Sequence, residues 1–156
     1  MYEETERKVK ENIIGERKTV VEGIPISYKI YKPLESYEHP NAEWCWVDSN
    51  GNIYVSELPD VREELREKFR DLIAYHEKLE LEWLRSQGLP APKWKINSED
   101  EIEIAEEIHY KAHYYELIAA KNMGILEEYL RWRPKEPVTD KFLRQIKSKE
   151  DGKGKG

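Results

Sequence analysis

The chain has 156 residues, a length that suits one folded domain with a buried core. Charged residues make up 37% of it and the formal net charge is −6, so general nucleic-acid binding, which normally needs a basic face, is not expected. Cys45 is the single cysteine, which excludes an intramolecular disulfide bond and a zinc site built from several thiolates.

The first part of the chain predicts a short polar helix followed by a small antiparallel sheet of three or four strands. The polar residues 2–13 suit a helix that ends near Gly15. Four later segments are rich in β-branched and aromatic side chains or alternate apolar with polar residues, and they lie at 19–22, 26–32, 43–48 and 52–57. The last two flank Asn50-Gly51, which is a strong short-range signal for a β-hairpin.

A long helix is predicted after the sheet, over about residues 60–86. Pro59 suits the start of a helix, and Asp60 with Glu63 three residues later forms a plausible capping pair. The helix should end before a segment that contains its breakers, Gly88, Pro90 and Pro92.

A second long helix is predicted from Ser98, which forms a capping box with Glu101, to about Trp132, with a break at Gly124. Because the connection between the two helices is short, they should pack against each other in antiparallel directions. The predicted fold class is therefore α+β: a small antiparallel β-sheet followed by a long antiparallel α-helical hairpin.

The rest of the sequence predicts one domain over residues 1–146 and a disordered tail over 147–156. A last short helix should follow Thr139. The sequence has neither a signal-like segment nor an apolar run near the ~20 residues of a membrane span. We therefore expect a cytoplasmic protein that does not contact a membrane.

Histidine and glutamate interrupt the apolar stripes of both long helices. In the first helix the stripe follows three- and four-residue steps through Leu58, Val61, Leu65, Phe69, Leu72, His76, Leu79 and Trp83. In the second helix His109 and Glu116 interrupt a stripe of the same period, which runs through Ile102, Ala105, His109, Ala112, Glu116, Ala119, Met123, Leu126 and Leu130. Antiparallel packing places side by side those residues whose numbers add up to about 185, so His76 should lie level with His109, and His113 one turn away.

The residues from His76 to Glu80 form an H-E-x-x-E pentapeptide on the first helix. In zinc peptidases with an H-E-x-x-H motif, both histidines hold the metal and the adjacent glutamate is the general base. Here Glu80 replaces the second histidine, and a carboxylate oxygen also binds zinc. The third ligand would come from His109 or His113, and Glu77 would be the base. This pattern predicts a site for Zn²⁺ or another divalent transition metal, and a metal-dependent hydrolase.

The pentapeptide, with the pair Ala112-His113 on the next helix, resembles a pattern in small proteins of archaea and mobile elements. More loosely it is similar to minimal zincin-like metallopeptidases, and the likeness covers about residues 52–116. It implies His113 as the third ligand, whereas the apolar stripe favours His109. It also implies a peptide as substrate or, since the second histidine is missing, an inactive relative. The abundance of Glu, Lys and Arg is typical of hyperthermophiles.

Two other function classes fit parts of the sequence. Glu106-x-x-His109 matches the Glu-x-x-His unit of di-iron carboxylate bundles, to which Glu77, Glu80 and Glu116 could add carboxylates, but such bundles use two units. The other class is a non-enzymatic interaction or regulatory module, with or without a structural metal, that forms a homodimer through the helices or through exposed aromatic residues.

Overall fold

The computed structural model describes residues 2–33, 44–134, 136, 139–141 and 143–144, which form an α+β fold. In chain order the elements are helix α1 (Tyr2–Glu11), strands β1 (Ile13–Val21), β2 (Ile24–Tyr31), β3 (Cys45–Val47) and β4 (Ile53–Ser56), and helices α2 (Glu63–Ser86), α3 (Glu99–Asn122) and α4 (Leu126–Trp132). A 3₁₀ turn, Lys93–Lys95, lies between α2 and α3. The predicted fold class is confirmed, with a small sheet followed by a helical hairpin.

The four described strands lie in the order β1-β2-β4-β3. Two antiparallel hairpins build the sheet, and the second turns at Asn50-Gly51 as predicted, with Gly51 at a φ of 85°. Strands β2 and β4 pair in parallel, so the sheet is mixed rather than wholly antiparallel. All residues of β4 are buried, which suits the inner position that this strand takes between β2 and β3.

Strand β1 begins at Ile13, where the sequence predicted a helix that ends near Gly15. Most of its residues are exposed or half-buried, because β1 forms one edge of the sheet. A polar edge strand such as Glu16-Arg17-Lys18 lacks the apolar signal by which strands are recognised in a sequence. Its turn into β2 uses Glu22 and Gly23, both at positive φ (50° and 77°), as a two-residue hairpin turn requires.

Helix α2 begins at Glu63, later than predicted, and Asp60 does not cap it. Asp60 instead accepts a hydrogen bond from the Trp132 indole at 3.1 Å. The turn before the helix is held by the Arg66 side chain, which donates to the carbonyl oxygens of Pro59 and Val61. The capping pair therefore failed as a prediction because a tertiary partner took its carboxylate.

The end of α2 and both ends of α3 follow the predictions. The Ser98 hydroxyl accepts the backbone N–H of Glu101 at the start of α3. Gly88 ends α2 at a φ of 70°, and Leu89 N–H donates to the carbonyl of Leu84, as in a Schellman motif. Gly124, at a φ of 76°, ends α3 in the same way and separates it from α4.

Helices α2 and α3 run antiparallel, since Glu80 contacts His109 while His76, one turn earlier on α2, also contacts Glu116 farther along α3. The first turns of α3 extend beyond this packing: Ile102, predicted in the stripe, is 50% exposed, and Ile108 is the first buried residue of the helix. Residues 139–141 and 143–144 are helical, which agrees with the predicted last helix.

The main core lies between the sheet and helices α2, α3 and α4, and a second cluster of Val9, Tyr31, Trp46 and Tyr54 lies beside α1. No helix in the described part of the chain is both long and apolar enough to cross a membrane. The predicted disordered tail over 147–156, and His39, lie outside the described residues.

Candidate metal centre

A cluster of histidine and glutamate side chains fills the middle of the α2–α3 interface. His76 and Glu80 stand one turn apart on α2 and are each only 3% exposed, and Glu116 on α3 is fully buried. Burial of a polar group costs free energy unless the group is paired. These side chains must therefore form hydrogen bonds and ion pairs with one another, or bind an ion. The cluster contains two groups of candidate metal ligands, which share His76.

The first group of candidate ligands, called the Glu80 group, consists of His76, Glu80 and His109. Glu80 Oε1 lies 2.8 Å from His76 Nε2 and 2.6 Å from His109 Nδ1, and the two ring nitrogens are 3.2 Å apart. Ligand atoms around a tetrahedral zinc ion with bonds of ~2.0–2.1 Å are separated by about 3.3 Å. The three separations therefore need to increase by about 0.1 to 0.7 Å for the atoms to surround such an ion.

Each imidazole of the Glu80 group has a carboxylate on its other ring nitrogen. His76 Nδ1 lies 2.6 Å from Glu116 Oε1, and His109 Nε2 lies 2.6 Å from Glu136 Oε1. Metal-binding histidines normally donate their second ring N–H to such a partner, which fixes the tautomer and the ring orientation. This arrangement leaves His76 Nε2 and His109 Nδ1 as the ligand atoms.

The second group of candidate ligands, called the Glu116 group, consists of His76, His113 and Glu116. His113 Nδ1 lies 3.3 Å from Glu116 Oε1. The other oxygen, Glu116 Oε2, is 3.1 Å from Arg133 Nε and accepts the Tyr129 hydroxyl. Burial alone would raise the pKa of Glu116, but the Arg133 charge and the histidines hold it well below its usual range. A guanidinium thus already neutralises this carboxylate.

The four predicted ligands, His76, Glu80, His109 and His113, therefore meet in one cluster but not at one point. His109 lies with Glu80, as the apolar stripe favoured. His113, which the resemblance implied, faces Glu116, Glu136 and, through Nε2 at 3.2 Å, the Thr139 hydroxyl.

A pocket of about 320 Å³ opens beside the Glu80 group and is lined in part by Glu77, the predicted base, with His76 and His109. Glu77 Oε1 accepts a hydrogen bond from the Cys45 thiol at 3.4 Å. Burial, followed by the charge of Glu80, raises the pKa of Glu77 above its ordinary value. The predicted base is therefore at the pocket wall.

The same pocket contains cationic side chains that the sequence patterns did not indicate. Lys93 Nζ lies 3.6 Å from Glu80 Oε1 and 3.5 Å from His109 Nδ1, and Arg133 lies at the wall. Burial lowers the pKa of His76, but the charges and hydrogen bonds of Glu80 and Glu116 outweigh it and raise the pKa to about 10. Without a metal, His76 is thus itself a cation.

Sequence reasoning missed the residues that come from connections rather than from the two long helices. Lys93 belongs to the 3₁₀ turn, and Arg133, Glu136 and Thr139 follow α4. Connections carry no periodicity, so no pattern signals which of their side chains turn inward. Glu106, the residue of the di-iron alternative, is exposed and accepts the hydroxyl of Tyr110.

Comparisons of the chain with protein-family models, with curated proteins and with solved structures found no match to it.

Proposed function

We propose that the protein is a metal-dependent hydrolase in which the Glu80 group holds Zn²⁺ or another divalent transition metal. The observation that carries the proposal is the convergence of His76 Nε2, Glu80 Oε1 and His109 Nδ1, with a carboxylate behind each imidazole. Two histidines and one carboxylate are an established catalytic donor set that leaves a position open to the pocket. A divalent ion bound there would supply Lewis-acid chemistry and lower the pKa of a water molecule.

Glu77 is the proposed general base. It follows His76 on α2 and lines the pocket, whereas the Glu80 and Glu116 carboxylates are engaged by the histidines. In hydrolysis of an amide it would accept the proton of the attacking water and pass a proton to the leaving nitrogen. The resemblance to zincin-like metallopeptidases supports these roles and a peptide as the substrate, and the resemblance to small proteins of archaea and mobile elements fits an archaeal source.

The test combines metal content with turnover. Protein purified without an affinity tag should contain a divalent transition metal close to one equivalent by elemental analysis. Glu77→Gln should keep that metal and abolish hydrolysis of a mixture of short peptides, followed by mass spectrometry. Glu82→Gln is the matched control, because Glu82 is on the same helix with a side chain that is 49% exposed. Turnover that survives in Glu77→Gln would refute the base, and metal-free wild-type protein would refute the site.

A specific observation favours a second candidate, a non-enzymatic interaction module. Lys93, Arg133 and protonated His76 can balance the buried carboxylates without any metal. In addition, edge strand β1 exposes Ile14 (56%) and Val20 (62%), apolar side chains that a partner or a second copy of the chain would cover. Light scattering would show a dimer that Val20→Lys dissociates, while the metal and turnover measurements above would both be negative.

A further inference from the structure

Lys93 occupies the open side of the Glu80 group. Its Nζ lies 3.6 Å from Glu80 Oε1 and 3.5 Å from His109 Nδ1, and its side chain is 37% exposed. It lines the pocket beside the Glu80 group and also a neighbouring groove. An ammonium group thus lies where the pocket, the groove and the ligand atoms meet.

A metal would change what this ammonium group contacts. An ion held by Glu80 and His109 would use the oxygen and the nitrogen lone pair that Lys93 now faces, and the two cations would repel each other. The partly exposed lysine would then turn toward the pocket, where it needs a new negative partner. A carboxylate of the substrate is such a partner, since ammonium–carboxylate hydrogen bonds are stronger than neutral ones.

The charges around the pocket allow an anionic substrate. Carboxylates of Glu77, Glu80, Glu116 and Glu136 surround this region together with the cations Lys93 and Arg133. When the histidines are neutral, the four carboxylates and the two cations have a net charge of −2, which a divalent ion balances. An incoming carboxylate would therefore meet a neutral site with a cation at its open side.

Apolar side chains line part of the neighbouring groove. Its volume is about 370 Å³, and it shares Lys93, His109 and Glu136 with the pocket. Ile96, Ile102 and Ala105 line the groove together with Glu106 and Tyr110. Ile102 is 50% exposed although it belongs to the apolar stripe of α3. A large exposed aliphatic side chain next to a proposed active site is available to an apolar group of the substrate.

We propose, building on the metal-dependent hydrolase above, that the substrate is a short peptide or N-acyl amino acid with a free C-terminal carboxylate and an apolar C-terminal side chain. Lys93 binds the carboxylate, and the groove around Ile102 takes the side chain. Water adds across the last amide bond: the hydroxyl goes to the carbonyl carbon, the C–N bond breaks, and the nitrogen leaves with a proton as the amine of the free amino acid.

The proposed binding of the substrate carboxylate by Lys93 is tested with 4-methylpentanoate and its amide. Their binding to the zinc-supplemented full chain is measured by ligand-observed NMR. The wild type should bind the acid roughly tenfold or more tightly than the amide, as a charge-assisted hydrogen bond warrants. Lys93→Gln should remove this preference, and Lys93→Arg should retain most of it. The matched control is Lys95→Gln, because Lys95 lies on the same 3₁₀ turn and donates to the Ser49 carbonyl.

The proposed binding of the apolar side chain in the groove is tested by a comparison of 4-methylpentanoate with acetate. The wild type should prefer the longer acid, and Ile102→Asn should reduce that preference severalfold. Ile104→Asn is the control, because Ile104 is 37% exposed on the same helix and does not line the groove. Equal loss in both variants would overturn the assignment of the groove.

A zinc titration of Lys93→Gln separates this proposal from the proposed function. Zinc affinity should stay the same or rise, since a competing cation is removed. If the acid preference survives in Lys93→Gln, or is absent from the wild type, the substrate assignment is wrong even though zinc binds. If the wild type does not bind zinc, the hydrolase is refuted, and the substrate assignment is refuted with it, because only a metal would release Lys93 from Glu80.

Discussion

The Glu80 group and the Glu116 group contain the same residue types and share His76, yet they differ in what neutralises the glutamate. Glu116 is fully buried, and Arg133 and Tyr129 hold one of its oxygens. Glu80 faces two histidine nitrogens and, at 3.6 Å, a lysine whose side chain is 37% exposed. The buried Arg133 guanidinium closes the Glu116 group, while the partly exposed Lys93 ammonium leaves the Glu80 group accessible to an ion. Donor identity alone therefore does not make a metal site.

Removal of the shared residue should break both groups and give the largest effect. His76→Ala leaves Glu80 and Glu116 without their common partner inside the helix interface. We expect a loss of about 3–5 kcal/mol in the free energy of unfolding, as for other broken buried ion pairs. Urea denaturation in the presence of a chelator measures it. A loss under about 1 kcal/mol would mean that water already satisfies both carboxylates.

The two cations should differ strongly in their contribution to stability. Arg133→Met strands the buried Glu116 carboxylate and should cost about 3 kcal/mol, because the Arg133 side chain is only 11% exposed. Lys93→Met should cost less than about 1 kcal/mol, as expected for a partly exposed ion pair. Urea denaturation of both variants without metal gives the comparison. Equal costs would remove the distinction between a closed and an accessible group.

Glu136 contacts the Glu80 group through His109, so its substitution tests whether this group, rather than the Glu116 group, binds the metal. Glu136→Gln keeps the size of the side chain but removes the negative charge at His109 Nε2. Outer carboxylates of this kind typically change metal affinity by about 10–100-fold. A competition titration with a zinc chelator measures the change. Glu127→Gln, with a side chain that is 82% exposed, is the control, and an equal shift there would point to a general charge effect.

Asp48 follows strand β3 and has a buried carboxylate. The hydrogen-bond donors around this carboxylate are mostly neutral. Burial raises its pKa, but hydrogen bonds from Asn50, Asn52 and Tyr54 outweigh this and hold the pKa below its ordinary value. A lowered native pKa means that charged Asp48 stabilises the fold above about pH 4, and that this stability is lost as the pH falls through the native pKa.

The variant Asp48→Asn should therefore be less stable by about 1–2 kcal/mol at neutral pH. It should approach the wild type in stability as the pH falls below about 4. Urea denaturation at several pH values without metal checks this. A stability difference that is independent of pH would show that shape rather than charge is important at this position.

The helical hairpin and its central residues could be predicted because periodicity reports on helix faces. The three- and four-residue steps placed His76, Glu80 and His109 together, and the structure brings these three to one point. The same reasoning could not separate His109 from His113, since both lie near the level of His76. That choice depends on Arg133 and Glu136, which follow α4 and reach the cluster only through tertiary folding.

Elements whose signals are not periodic were harder to predict. The middle of edge strand β1, Glu16-Arg17-Lys18, is polar and gives no apolar alternation, and the parallel pairing of β2 with β4 depends on which strand of the second hairpin is more buried. The start of α2 was misplaced because Trp132, distant in sequence, takes the carboxylate of Asp60. In each case a long-range partner overrides a local signal.

The most direct test of the Glu80 group as a metal centre is an equilibrium zinc titration, against a competing chelator, of the wild type, His109→Asn and His113→Asn. His109 Nδ1 lies 2.6 Å from Glu80 Oε1, whereas His113 faces Glu116, Arg133 and Thr139. We expect one high-affinity site in the wild type, a loss of roughly 100-fold or more in His109→Asn, and a change within about tenfold in His113→Asn. The reverse order of the two variants, or no saturable site in the wild type, would contradict the account.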